Sequence, residues 1–178
     1  MNLVMSKGKM VFDPINRTKK HNKQNWKRTA MIVVEDDTFA YYQWFIEKKY
    51  PLIQGVSGDT KWLNPPLRGT HVTIINDMVG RDLTDEKYKE AKELYDGEEV
   101  YFFFDPVDGI RNNGEHIFFK VECPMGMEIR KKAGLTNPYF GFHITIGLVA
   151  NPGVKKEHML NVANYMDKYP RHYKKKKI

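Results

Sequence analysis

The sequence predicts an α+β fold in one globular domain, on three observations. Segments typical of strands alternate with segments typical of helices. The 178 residues are enough for one sizeable core and little more. Hydrophobic residues make up 41% of the chain and aromatic residues 13%, which indicates a folded protein and not a disordered one.

The first elements lie between residues 30 and 76. AMIVV at 30–34 is a short apolar run that predicts a strand. Residues 36–51 predict a helix, because acidic residues stand in its first turn, lysines in its last turn, and Pro51 at its end. Glycine and proline then mark a loop, which leads to a predicted strand at 68–76.

The middle of the chain predicts a helix followed by two strands. Residues 84–97 are amphipathic, with Thr84 as a plausible cap and Gly97 as a stop. VYFFF at 100–104 and HIFFKVE at 116–122 predict strands joined by a turn-rich connection. The last predicted elements are a helix at 124–134, a strand at 139–149 and a helix at 155–169.

Positive charge is concentrated at the two ends of the chain. The formal net charge is +7, yet residues 1–28 hold eight Lys/Arg and one acid, and residues 155–178 hold eight Lys/Arg and two acids. The part between holds 13 basic and 19 acidic residues, a net charge of −6. We therefore expect a basic N-terminal arm at 1–28, one domain at 29–170 and a basic tail at 171–178. Such ends suit either solvation or attraction of a polyanion such as a nucleotide.

The sequence also argues against several kinds of protein and site. No apolar run approaches the roughly 20 residues that span a bilayer, and the first residues lack the apolar core of a signal peptide. We therefore expect a cytoplasmic protein that does not interact with membranes.

The single cysteine, Cys123, excludes an internal disulfide and argues against a thiolate metal cluster. Nucleophile elbows and Walker-type loops are also missing. No cofactor, metal or stable protein partner is expected; a weak homo-oligomer stays open.

One short motif occurs twice. GTHVTII at 69–75 and GFHITIG at 141–147 both spell Gly-x-His-(apolar)-Thr-Ile. Random placement of six histidines and nine threonines predicts about 6 × 9/178, or roughly 0.3, His-x-Thr triplets, and the chain has two. Matching glycines and isoleucines make coincidence still less probable, so the repeat is where function is expected.

The chemistry of the motif follows from strand geometry. Residues two apart share a face, so His71 points with Thr73, and His143 points with Thr145. The glycine two residues before each histidine leaves room for close approach to the backbone. Threonine is a poor zinc ligand. Two imidazoles suit acid–base chemistry on a phosphodiester, where one removes a proton and the other donates one. Threonine hydroxyls would hold the phosphate oxygens and stabilise the charge of the transition state.

The two motifs resemble the two-histidine (2H) phosphoesterases, whose signature is a pair of His-x-Thr/Ser strands some tens of residues apart. Here the two histidines are 72 residues apart. The resemblance implies two pseudo-symmetric lobes, with antiparallel strands forming a central groove and helices on the outside. Members of this family act on RNA ends, 2′,3′-cyclic phosphates, 2′–5′ linkages and cyclic oligonucleotides.

Within this family the chain is most similar to the phage-encoded anti-CBASS nucleases. The similarity rests on YYQWFIEKKYP at 41–51, PPLRGTHVTIIND at 65–77 and the second motif at similar spacing. It implies a metal-independent enzyme that cuts 3′–5′ bonds of cyclic di- and trinucleotides such as cGAMP, in the cytoplasm of an infected bacterium. The partner would then be a cyclic oligonucleotide substrate, opened so that it no longer signals in host immunity.

Carried over by position, the resemblance makes four motif residues catalytic: His71, Thr73, His143 and Thr145. The subgroup also uses a tyrosine upstream of the first motif. Tyr41 and Tyr42 are both candidates, and spacing does not choose between them. Trp44 is a further substrate-binding candidate, because it and Trp62 could stack on bases.

The aromatic segment also has a simpler interpretation. It could be an amphipathic helix on which Tyr41 faces the core with Trp44 and Phe45, while Tyr42 faces elsewhere. Near the C-terminus, Arg171 and Lys174 could close over a bound nucleotide or belong to a plain solvated tail. The other histidines lack the motif and are interpreted as ordinary surface or edge residues: His21, His116, His158 and His172.

Two other functions stay open at this point. One is a phosphodiesterase of RNA ends or 2′,3′-cyclic phosphates in RNA repair. The other is a non-catalytic RNA-binding domain that keeps the groove without turnover. The sequence leaves open base preference, ring size, and which histidine acts first as the base.

Overall fold

The structure is a computed structural model. It describes residues 3–15, 28–35, 37–49, 63–64, 66, 69–76, 83–112, 116–138 and 140–149. In these residues the chain forms eight strands and three helices, and every strand pair is antiparallel. The α+β fold class is confirmed. Several predictions lie outside the described residues: the helix at 155–169, the tail at 171–178, and the roles of Trp62, Arg171, Lys174, His21, His158 and His172.

The elements follow one another closely along the described chain. The strands are β1 Val4–Phe12, β2 Ala30–Val33, β3 Leu63–Asn64, β4 His71–Ile75, β5 Glu99–Phe104, β6 Ile110–Asn112, β7 His116–Glu122 and β8 Phe142–Val149. The helices are α1 Thr38–Lys49, α2 Asp85–Tyr95 and α3 Pro124–Lys132. As predicted, Thr84 caps α2, with its hydroxyl oxygen accepting a hydrogen bond from the backbone N–H of Lys87.

The strands form a closed barrel. Their order is β3-β8-β4-β2-β1-β5-β7-β6, and β8 pairs in addition with β7. Six strands therefore make a ring, β8-β4-β2-β1-β5-β7, that returns to β8. The two short strands β3 and β6 extend the edges of β8 and β7. The last strand of the described chain is thus the one that closes the barrel.

The helices pack on the outside of this ring. Phe39 of α1 lies against Phe102 and Phe119, with ring centroids 6.3 and 6.2 Å apart. Gly126 of α3 is so close to Ile74 that an added Cβ would stand 2.9 Å from the isoleucine side chain. The strand side chains beneath these helices are buried, whereas those on the opposite face are more exposed. The helices therefore cover the outer, apolar face of the strands.

The N-terminal segment corrects one prediction. Residues 1–28 were expected to form a frayed arm or an irregular cap, but Val4–Phe12 is a nine-residue strand between β2 and β5. The alternation of apolar and polar residues that would predict this strand is interrupted, because Gly8 stands between two lysines. A Cβ at Gly8 would lie 2.5 Å from the carbonyl oxygen of Val33. Close packing of the backbones thus explains the glycine that hides this strand.

The short strands β3 and β6 were not predicted either, because both lie in segments that were predicted as loops. β3 pairs with β8 over two residues, and β6 pairs with β7 over three. By contrast, His116–Glu122 forms a strand with the predicted limits. None of the helices in the described parts of the chain is long and apolar enough to cross a membrane. A division into two lobes stays a prediction.

Candidate active site

The two motifs lie side by side in the barrel. Val72 of β4 pairs directly with Ile144 of β8, and both side chains are fully buried. In an antiparallel pair the residue numbers run in opposite directions, so this register places His71 opposite Thr145. It equally places His143 opposite Thr73. A local two-fold relation therefore exchanges the first motif with the second.

The four motif side chains share one face. Val72 and Ile144 belong to the apolar outer face, so the residues on either side of them in each strand point inward. The histidines occupy one diagonal of this group and the threonines the other. Diagonal neighbours across an antiparallel pair are separated by about 7–8 Å. We call this inner surface the motif face. It places two imidazoles and two hydroxyls around one space.

Each histidine ring is held by the backbone of its own motif. Nδ1 of His71 lies 2.8 Å from the carbonyl oxygen of Gly69, and Nδ1 of His143 lies 3.4 Å from that of Gly141. A carbonyl oxygen only accepts, so in each contact Nδ1–H is the donor. The lone pair of the neutral ring then resides on Nε2, the nitrogen that exchanges protons with a substrate.

Each motif glycine ends a turn that precedes its histidine, and the same turn occurs in both motifs. The N–H of Gly69 donates to the carbonyl of Pro66, and the N–H of Gly141 donates to the carbonyl of Pro138. The two glycines have φ of +72° and +69°, a conformation that glycine adopts without strain. An added Cβ at either glycine would meet nothing within 4 Å. The motif therefore extends to Pro-x-x-Gly-x-His-(apolar)-Thr-Ile, a longer repeat that the sequence already contained.

His143 has an aromatic and cationic neighbourhood. The ring of Phe118 lies 5.3 Å from that of His143 at 60°, and Lys120 stands opposite His143 in β7. Burial lowers the pKa of His143 below its ordinary value; the Gly141 carbonyl opposes this less strongly, and the charge on His116 adds to the lowering. Its ring is therefore neutral at neutral pH, which suits a general base.

His71 has a different neighbourhood. Its partner on the other side of β4 is Val33, while Thr73 faces Met31. Both neighbours are apolar and without an aromatic ring. The Nδ1 contact of His71 is also the shorter of the two.

Three residues of β7 were not predicted to be near the site. Burial alternates along this strand, with His116, Phe118 and Lys120 on one face and Ile117 and Phe119 buried on the other. Phe118 is paired with Thr145, so this set shares the motif face. The alternation was visible in HIFFKVE, but the pairing of β7 with β8 was not. His116, interpreted as an ordinary surface or edge residue, thus lies on the motif face.

The aromatic candidates on α1 lie elsewhere. Tyr42 packs on Phe119, with ring centroids 5.0 Å apart, and Phe119 belongs to the outer face. Tyr41 and Trp44 are more than half exposed and contact each other at 5.9 Å. The orientation in which Tyr41 and Trp44 face the core is therefore wrong, since Tyr42 takes that place. The structure does not bring these three to the motif face, and their substrate-binding role stays a prediction.

An open cleft of about 800 Å³ adjoins the second motif. Phe118 and Gly141 line it, so it begins beside His143. Among the residues that the structure describes, no group of three or more His, Cys, Asp or Glu could hold a metal ion. The expectation of a metal-independent reaction is left to experiment.

Comparison with known families now agrees with this geometry. The model of the Swiss Army Knife 2H phosphoesterase domain matches residues 43–152, more than half of the chain. The chain belongs to the 2H phosphoesterase family. Membership indicates a phosphodiesterase and hydrolase activity. Searches of curated proteins and of solved structures returned no significant match. In this 2H phosphoesterase, the matched region contains both His-x-Thr strands and the turns before them.

Proposed function

We propose that this 2H phosphoesterase is a metal-independent phosphodiesterase that opens cyclic di- or trinucleotides by cutting a 3′–5′ linkage. The observation that carries the proposal is the register of β4 and β8, from which two backbone-anchored histidines and two threonines share one face. Acid, base and hydroxyl donors are then all supplied by side chains.

In this mechanism the substrate provides the nucleophile. His143 Nε2 removes the proton from the ribose 2′-OH, whose oxygen attacks the adjacent phosphorus. The bond from phosphorus to the 5′ oxygen breaks, and protonated His71 gives that oxygen its proton. The products are a 5′-OH and a 2′,3′-cyclic phosphate. Water then opens the cyclic phosphate with the two histidines in exchanged roles.

The assignment of roles rests on the different surroundings of the two rings. Burial lowers the pKa of His143, so His143 starts neutral and accepts a proton. His71 is then the ring that donates a proton to the leaving 5′ oxygen. Thr73 and Thr145 hold the non-bridging phosphate oxygens and stabilise charge as it develops.

The choice of cyclic oligonucleotides is supported by the sequence likeness to the anti-CBASS nucleases in residues 41–51 and 65–77. A phage would use such an enzyme in the host cytoplasm to destroy the signal of host immunity. An intramolecular 2′-OH next to the phosphorus gives the rate advantage of a near-attack geometry. No covalent intermediate with the protein is required.

Matched substrates test this function. A cyclic diribonucleotide should be opened to a linear product in excess EDTA, and mass spectrometry should detect the 2′,3′-cyclic phosphate intermediate. Its counterpart with 2′-deoxyribose at the scissile position should bind and stay intact. Cleavage of the deoxy compound at a comparable rate would show that water attacks directly, and loss of turnover in EDTA would show that a metal is needed.

Linear RNA distinguishes the remaining functions. Rapid cleavage at RNA ends, or rapid opening of 2′,3′-cyclic phosphates, would indicate an RNA-repair enzyme if the cyclic dinucleotide were left intact. A non-catalytic RNA-binding domain would retard RNA on a gel and leave both substrates unchanged.

A further inference from the structure

The cleft beside His143 has walls of an unusual composition for a phosphate site. Aromatic rings of Phe103, Phe118 and Phe140 line it, together with charged side chains at its rim. Phe140 is 80% exposed. It occupies the third position of the turn that precedes His143, where the equivalent residue before His71 is Arg68.

The charges of the cleft disfavour a second phosphate. Its described lining contains three carboxylates, those of Asp105, Asp108 and Glu122, against the two cations of Arg111 and Lys120. Repulsion by the carboxylates would weaken binding of an anion. A neutral heterocycle with donors and acceptors at its edge and a π-face suits this lining better.

Arg111 is held in a defined position at the cleft. Its Nη1 donates to the carbonyl oxygens of Asp108 and Ile110 at 2.6 and 2.7 Å. The Asp105 carboxylate in turn accepts from the N–H groups of Val107 and Asp108, which fixes the β5–β6 turn. A fixed guanidinium loses little conformational entropy when it binds a ligand edge.

We propose that this cleft binds a nucleobase next to the phosphate on which His143 acts, with Phe140 stacked on the base and Arg111 at its polar edge. Every base offers a π-face for stacking, and the volume lies in the range of small-ligand sites. The inference rests on the proposed function and adds to it the place where the base is bound.

The test is a cycle of two proteins and two ligands. Affinities of Phe140→Ala and of the unmodified protein are measured for a cyclic diribonucleotide and for its analogue with both bases replaced by hydrogen. Phe140→Ala should raise Kd for the normal ligand roughly tenfold to a hundredfold. It should leave Kd for the base-free analogue unchanged, because that analogue already lacks the base with which Phe140 would interact.

Phe140→Trp should restore the affinity, because it keeps a stacking surface. Leu94→Ala is the matched control, since Leu94 is an exposed apolar residue of α2 outside the lining of the cleft. Equal effects of Phe140→Ala on both ligands, or no effect on either, would overturn the base site. All affinities are measured in proteins that also carry His71→Ala, so that the ligand is not cleaved during the binding measurement. If the unmodified protein binds but never cleaves, the proposed function fails while the base site stands.

Discussion

The two motif regions share their backbone and differ in their neighbours. Both have the same proline-to-glycine turn, the same positive φ and the same Nδ1 contact. His71, however, is flanked by Val33, whereas His143 is flanked by Phe118 and Lys120. A duplicated motif thus supplies two similar imidazoles, and the adjacent strands give them different surroundings, in which burial lowers the pKa of His143. This difference is what a paired acid and base require.

The largest expected effect is loss of either histidine. His71→Ala and His143→Ala should each lower kcat by several orders of magnitude, because in the proposed mechanism each ring carries one of the two proton transfers. The measurement is single-turnover cleavage of the cyclic substrate. The double variant should be little worse than either single variant, since residues that act as a unit are strongly non-additive. Losses that multiply would contradict a concerted acid and base.

The threonines test whether the local two-fold relation extends to charge stabilisation. Thr73→Val and Thr145→Val should each lower kcat by about 10²–10³, the usual cost of one oxyanion donor. Thr→Ser at the same positions is the control, because it keeps the hydroxyl. A difference of more than tenfold between the two valine variants would show that one hydroxyl alone serves the transition state.

The pH dependence sharpens the contrast between the histidines. Because the pKa of His143 is lowered, its base form persists to lower pH, and the acidic limb of the kcat/KM profile should lie below about 6.5, the ordinary histidine value. Phe118→Ala should expose His143 to water and move that limb upward. The matched variant Val33→Ala, beside His71, should leave it in place. An unshifted limb in Phe118→Ala would refute burial as the cause.

The smallest expected effects come from the glycines. Gly69→Ala and Gly141→Ala should each lower the free energy of unfolding by about 1–2 kcal/mol, since an alanine is strained at positive φ. The two losses should be equal, because neither site has a neighbour within 4 Å of an added Cβ. Denaturant unfolding measures them, with Gly→Asn as the milder control. Unequal losses would show that the turns differ beyond their backbone.

The sequence predicts the motif better than its surroundings, for a physical reason. His-x-Thr in a strand places the two residues of each motif on one face through local geometry alone, whereas the meeting of the two motifs was implied only by the family resemblance. The pairing of Val72 with Ile144 is long-range, and no local pattern specifies it. The same limit explains why Lys120 and His116 were not expected on the motif face.

The errors in the fold have related causes. In β1, lysines on the inner face and Gly8 at a crowded position disguise a strand that tertiary pairing stabilises. On α1, the spacing of Tyr41, Tyr42 and Trp44 does not decide which of them faces the core. Packing against Phe104 and Phe119 decides for Tyr42. Local propensity does not contain this information.

The position of β8 in the ring has a consequence for folding. Before β8 is added, β4 and β7 each present an unpaired edge, which can recruit other chains into aggregates. Pairing of β8 with β4 joins residues 72 apart, and contacts of such sequence separation form slowly. A nascent chain therefore acquires its second histidine and loses its open edges in the same event. Local detachment of β8 would reverse both together, so hydrogen exchange in this strand should report the fraction of molecules able to turn over.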